Sequence, residues 1–234
     1  MHLAEAIHHA FALLFSGDAT LWQIIWVSLK TSILALLIAT PFAMAAGYAI
    51  AMRSFKGRRL VIWLTQAALS LPTVLIGLLL YLMLTRQGPL GGLQWLFSQP
   101  AIIAGQVVIA LPVLIAFTFA AVQAADPRLA ETAITLGASR WRVMLTVLHE
   151  SRFGVMAAVI QGYGRVISEV GCAIMVGGNI AGETRTITTA IALETSKGEF
   201  AQGIALGIVL VSIALAINAV MVVLQGDARA AGAV

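Results

Sequence analysis

Polar residues in this chain come in short clusters, and between them run long stretches with almost none. Ile33 to Met52 passes twenty positions without a charge, enough helix to cross roughly 30 Å of hydrocarbon. The same pattern predicts five membrane spans: within Trp22 to Met52, from Leu60 to Leu84, from Ala101 to Val122, from Phe153 to about Val176, and from Ala201 to Leu224. Pro41, Pro72 and Pro112 fall inside the first three, where a membrane helix tolerates a kink. Residues 1–20 are expected to form an amphipathic segment on the outer interface, because Leu3, Ile7, Phe11 and Leu14 share a face too short to span. Residues 226–234 read as a short tail, leaving 21–225 as the membrane domain.

Composition supports a bilayer setting. Of 234 residues 60% are hydrophobic and only 10% charged, against roughly 25% charged in a soluble domain. The distribution of the basic residues then orients the chain. Nine of them (Arg53, Lys56, Arg58, Arg59, Arg128, Arg140, Arg142, Arg152 and Arg229) fall in segments on one side. Three (Arg86, Arg185 and Lys197) fall on the other. The positive-inside bias puts the N-terminus outside and the C-terminus inside, which five spans require. A single cysteine, Cys172, excludes an intrachain disulfide and any cysteine metal cluster. No catalytic or metal-ligating constellation is expected, and lipid and protein rather than nucleic acid are the expected partners.

The largest polar cluster between spans is ADPRLAETAITLGASRWRVMLTVLHESR, residues 125–152. Asp126-Pro127 is a helix start, and Gly137 is placed to end that helix in a left-handed conformation. Ser139 can cap a second helix carrying Arg140, Trp141 and Arg142. The cluster therefore predicts helix, glycine turn, helix on the cytoplasmic side. Its spacing Glu131-Thr132-Ala133-x3-Gly137 resembles the EAA loop of ABC importer permeases. The family pattern is roughly Glu-Ala-Ala-x3-Gly-x9-Ile-x-Leu-Pro. This chain departs from it with Thr132 at the first Ala, Val147 at the Ile and His149-Glu150 at Leu-Pro. The resemblance implies that Glu131, Ala133, Gly137, Ser139, Arg140, Trp141 and Arg142 couple the membrane bundle to a separate ATPase subunit.

Gln161, Arg165, Ser168 and Glu169 place a polar stripe in the fourth apolar run. Ionisable residues inside a membrane helix are expensive and point to function by default. On a continuous helix Arg165 and Glu169 stand at i and i+4 and are expected to pair, as a pathway lining and gate or as a structural ion pair. Beyond that run, residues 177–200 form the largest outer segment, with a helix expected over Ile187 to Glu194. The stretches GRVISEVG, MVGGNI and TRTITTAI, followed by ALETSKGEF, are similar to the corresponding region of molybdate and sulfate importer permeases, and most closely to tungstate importer permeases. That resemblance implies a homodimer, two ATPase subunits that bind ATP, and a periplasmic or lipid-anchored binding protein that meets Asn179, Thr184, Arg185 and Thr188. It also implies a bacterial or archaeal cytoplasmic membrane. No cofactor is expected on the chain itself, which lacks the Gly-x4-Gly-Lys-Ser/Thr phosphate loop. Two other readings exist. An ion-coupled carrier would use Arg165 and Glu169 as its coupling pair, but the short length and the lack of internal repeats speak against it. An intramembrane enzyme would need Glu169 with His149, some five helical turns apart in sequence.

Overall fold

A computed structural model describes Ala12 and residues 17–231, with side chains to residue 219. The expected segment over residues 1–20 lies almost entirely outside the described residues. Every regular element described is helical: α1 (Ala19–Met52), α2 (Arg58–Leu69), α3 (Thr73–Leu84), a 3-10 turn (Gly91–Leu93), α4 (Gln99–Gln123), α5 (Arg128–Thr135), α6 (Arg140–Glu150), α7 (Arg152–Ile167), α8 (Gly171–Gly177), α9 (Ile187–Lys197) and α10 (Phe200–Ala231). The expected all-α membrane class holds. Among the described residues three helices (α1, α4 and α10) are long and apolar enough to cross a membrane alone. The count reaches five if the bent pairs α2–α3 and α6–α7 each make one span.

Two spans differ from expectation. The second is not one kinked helix: α2 ends at Leu69 and α3 begins at Thr73, with Pro72 extended at φ −61°, ψ 120°. Proline disfavours helical geometry in the residue before it, and at a helix start its missing N–H costs nothing. Pro41 and Pro112, by contrast, stay inside unbroken helices. The fourth run is also broken. α7 stops at Ile167 after 16 residues, about 24 Å of helix, and α8 resumes for seven residues at Gly171. At the other end α10 continues to Ala231, through much of the expected tail.

The chain divides into two compact units. The first comprises the described part of Met1–Ala35 with Pro72–Ile109 and Gly164–Ile217. One of its cores joins Leu21, Ile24 and Ile25 of α1 to Ile187 and Ala190 of α9 and Ala205 and Leu206 of α10. A second joins Leu84, Ala101, Ile102 and Ile109 to Cys172 and Val176 of α8. Gly77 makes that second core possible, since a Cβ there would sit 2.7 Å from the Cys172 Cα. The buried thiol thus packs as a small apolar group.

The second unit comprises Leu36–Leu71, Ala110–Tyr163 and the described part of Asn218–Val234. Its core gathers Val122, Ala130, Val143, Val147, Leu148 and Val155, flanked by Met44, Tyr48 and Ala51 from the end of α1. This core carries the polar loop 125–152. Arg58 holds the end of α1: its Nε donates to the Ile50 carbonyl at 2.7 Å and its Nη2 to that of Ala51 at 3.4 Å. A cation there satisfies carbonyls that a helix end leaves open and suits the negative end of its dipole.

Candidate functional site

The loop 125–152 folds from local signals. Asp126 Oδ1 accepts the Arg128 N–H at 2.9 Å and opens α5. Gly137 closes it at φ 79°, with its N–H on the Ile134 carbonyl (2.9 Å) and the Ala138 N–H on that of Ala133 (3.0 Å). This is the paired-bond stop that favours glycine. The Ser139 hydroxyl then accepts the Arg142 N–H at 3.5 Å and starts α6. At Ser151 the chain bends by 77° into α7.

The helix pair has two faces. Ala130, Val143, Val147 and Leu148 are buried in the core of their unit. The pair also exposes Ile134 (61%), Leu136 (81%), Trp141 (64%) and Leu145 (47%). Glu131, Gly137, Ser139, Arg140 and Arg142 are exposed too, and Ala133 is half-buried. The expected coupling residues are therefore presented on one compact element. Four large apolar side chains in water on an eleven-residue helix and its neighbour make a patch of the kind that marks an interaction surface.

The polar stripe is organised differently from its sequence reading. Because α7 ends at Ile167, Glu169 is not one turn above Arg165 on a continuous helix, and the expected pair does not form. Among the described residues the one ion pair is Lys197–Glu194 at 3.1 Å. Gln161 and Arg165, one turn apart on α7, are exposed. The Ser168 hydroxyl turns back to the carbonyls of Gly164 (2.8 Å) and Arg165 (3.2 Å) and helps to end the helix. Glu169 is buried, and its Oε1 accepts the Cys172 N–H at 3.0 Å in the first turn of α8. A carboxylate at the N-terminal end of a helix is held both by the orphan amide and by the dipole. The coupling pair that an ion-driven carrier would require is absent from this geometry.

The outer segment also needs correction. Thr184 and Thr188 are buried, not surface residues. The Thr184 hydroxyl donates to the Gly177 carbonyl (2.6 Å) and accepts the Ile180 N–H (2.9 Å), so it closes the loop on itself. The Thr188 hydroxyl donates to the Glu169 carbonyl at 2.7 Å, tying α9 to the break before α8. Asn179 and Arg185 are half-buried, and Arg185 Nη2 donates to the Asn179 carbonyl at 3.5 Å. The loop instead exposes Ile180, Ala181, Gly182 and Glu183. Helix α9 itself starts as expected, through a capping box between Thr186 and Thr189.

Two contributors escaped the sequence. Gln106, buried in α4, donates through Nε2 to Val166 O (3.3 Å) and Ser32 Oγ (3.4 Å). It was legible as the lone amide in an apolar run. Ser28, buried in α1, accepts the Ile187 N–H at 2.6 Å at the start of α9, and nothing in its sequence neighbourhood signals that.

The architecture is that of a transporter's membrane subunit. A bacterial transporter that imports the acidic polysaccharide alginate has a chain of the same fold (TM-score 0.69, 22% identity, 91% of this chain and 82% of that one). So does an amino acid ABC transporter (TM-score 0.67, 16% identity, 93% and 98%). Residues 39–229 match the family described as binding-protein-dependent transport system inner membrane component, and the chain belongs to that family. Among its relatives are the tungstate uptake permease TupB of Campylobacter jejuni, 37% identical over 93% of this chain and 91% of the relative, and TupB of Peptoclostridium acidaminophilum, 35% identical over 97% and 99%. The molybdenum transport permease ModB of Escherichia coli is 31% identical over 86% and 91%. The chain is thus a multi-pass membrane permease.

Proposed function

We propose that this chain is the membrane-spanning subunit of an ATP-driven importer of a small tetrahedral oxyanion, tungstate or its near-isostere molybdate. The observation that carries the ATP-driven part is the exposed apolar face of Ile134, Leu136, Trp141 and Leu145. It belongs to a helix pair whose Ala130, Val143, Val147 and Leu148 are packed into the core of the second unit. A lever that is apolar outside and anchored inside suits a groove on a soluble motor. The chain has no phosphate loop of its own, so ATP belongs to that partner. The tungstate and molybdate assignment rests on the relatives of 31–37% identity.

In the working assembly two copies of the chain pair with two ATPase subunits. A periplasmic or lipid-anchored binding protein delivers the solute on the side of residues 178–186. Helix α2, which buries none of its residues and exposes Leu60, Trp63 and Leu64, offers a face for the second copy. The N-terminus lies outside and the C-terminus inside, following the nine-to-three basic asymmetry. ATP binding draws the two helix pairs together and opens the pathway to alternate sides. We assign Arg165 and Gln161, both exposed on α7, to meet an anion in that pathway; among the described residues Arg165 has no ion-pair partner.

The test is reconstitution in proteoliposomes with the ATPase and the binding protein. The expected result is ATP-dependent tungstate uptake that molybdate suppresses and sulfate suppresses less. Uptake driven by an ion gradient without the ATPase contradicts the proposal.

A further inference from the structure

A cavity of about 340 Å³ lies in the second unit between the end of α1 and the loop 125–152, lined by Tyr48, Met52, Arg53, Ala130, Ile134, Ala138, Arg140 and Val143. Its charged members, Arg53 and Arg140, are both arginines, and no carboxylate lines it. Among the described residues neither has an ion-pair partner. Arg140 is the first residue of α6, whose positive dipole end adds a field of the same sign. Two like charges facing one cavity repel each other unless an anion sits between them. Guanidinium groups are suited to bidentate bonds with phosphate-like oxygens. The remaining walls, Met52, Ala130, Ile134 and Val143, are apolar, and the cavity lies where α1 leaves its apolar run and Arg53, Lys56, Arg58 and Arg59 begin.

We propose that this cavity is a binding site for one tetrahedral oxyanion group held between Arg53 and Arg140, with the Tyr48 hydroxyl as a further donor. The chemistry fits the phosphodiester of an anionic lipid at headgroup level, where basic pockets of membrane proteins collect such lipids. It fits equally a free oxyanion from solution. Because Ala130, Ile134, Ala138 and Val143 belong to the loop 125–152, Met52 ends α1 and Arg53 follows it, an occupant ties the loop to the end of the first span.

The experiment uses the full-length chain in nanodiscs of zwitterionic lipid. One arm adds a defined fraction of phosphatidylglycerol, the other adds inorganic phosphate or tungstate to the solution, and the thermal midpoint is followed in both. Wild type is expected to gain stability in one arm: a gain with phosphatidylglycerol alone assigns the lipid, and a gain with the free anion assigns the soluble ligand. R53Q/R140Q is expected to weaken the apparent affinity at least tenfold while keeping the midpoint in zwitterionic lipid. R53K/R140K, which keeps the charge without the planar fork, is expected to recover part of the response. R59Q, outside the cavity, is expected to behave as wild type. No gain in either arm overturns the proposal, as does an undiminished gain in R53Q/R140Q or an equal loss in R59Q.

Discussion

Gly137 is where the proposed coupling role of the loop 125–152 is most sharply testable. Its φ of 79° is left-handed, and a Cβ added there meets nothing within 4 Å. A substitution therefore meets backbone strain without any clash. For an alanine the left-handed conformation costs about 1–2 kcal/mol. Asparagine, which visits it more readily, costs less, and a β-branched valine costs more. The expected order of damage is Asn, then Ala, then Val. Two bonds depend on this geometry, Gly137 N–H to Ile134 O and Ala138 N–H to Ala133 O. If valine forces the turn open, α5 and α6 lose their mutual angle while their contacts to α1 remain. The assay is solute-stimulated ATP hydrolysis by the assembled complex, read beside the thermal midpoint of the permease. G137N should retain most of the stimulation, G137A a fraction and G137V little, with all three inserted in the membrane. A penalty of 1.4 kcal/mol corresponds to a tenfold shift between the competent and incompetent loop. Wild-type stimulation in G137V, or equal losses in all three, refutes the reasoning.

Three further outcomes follow from the first unit and the apolar face. E169Q keeps an acceptor for the Cys172 N–H and should leave stability nearly unchanged, whereas E169A removes it and should cost about 1–2 kcal/mol, measured by thermal unfolding in detergent. R165Q should leave the thermal midpoint at the wild-type value, because Arg165 is exposed and has no ion-pair partner among the described residues, while lowering oxyanion uptake; a stability loss instead would assign it a structural role. Gly77→Val puts a branched side chain where a Cβ is already 2.7 Å from the Cys172 Cα, and overpacking of this kind costs about 1–3 kcal/mol, to be read from the same unfolding curves.

The sequence made some parts of this molecule readable and hid others for physical reasons. The loop 125–152 was legible because Asp126, Gly137 and Ser139 act within three residues of themselves, so their hydrogen bonds can be anticipated without knowing the fold. The helix at Ile187 was expected too, but the Thr186–Thr189 capping box that starts it was not read. The break after Ile167 was not legible, because residues 153–176 contain no proline and their glycines are scattered throughout. Besides the local Ser168 hydroxyl, the carbonyls at the break are met by partners distant in sequence: Gln106 on that of Val166 and Thr188 on that of Glu169. The i, i+4 spacing of Arg165 and Glu169 presumed a continuous helix, and that presumption paired Glu169 with Arg165 when its carboxylate accepts the Cys172 N–H at the start of α8. Thr184 and Thr188 looked like surface residues because a threonine-rich outer segment reads as solvated, yet each hydroxyl satisfies a carbonyl inside the fold. Pro72 was seen, but a kink and a full break carry the same residue signal.

The central claim is that a membrane bundle without a motor presents the face of Ile134, Leu136, Trp141 and Leu145 to one outside it. The most direct measurement is a cysteine placed at Leu136, the most exposed of these side chains, and tested for crosslinking in native membranes during active oxyanion uptake. A crosslink to a nucleotide-hydrolysing subunit, with a yield that changes when ATP is bound, is the predicted result. Sustained uptake with no such crosslink from position 136, and none from position 141, contradicts the claim.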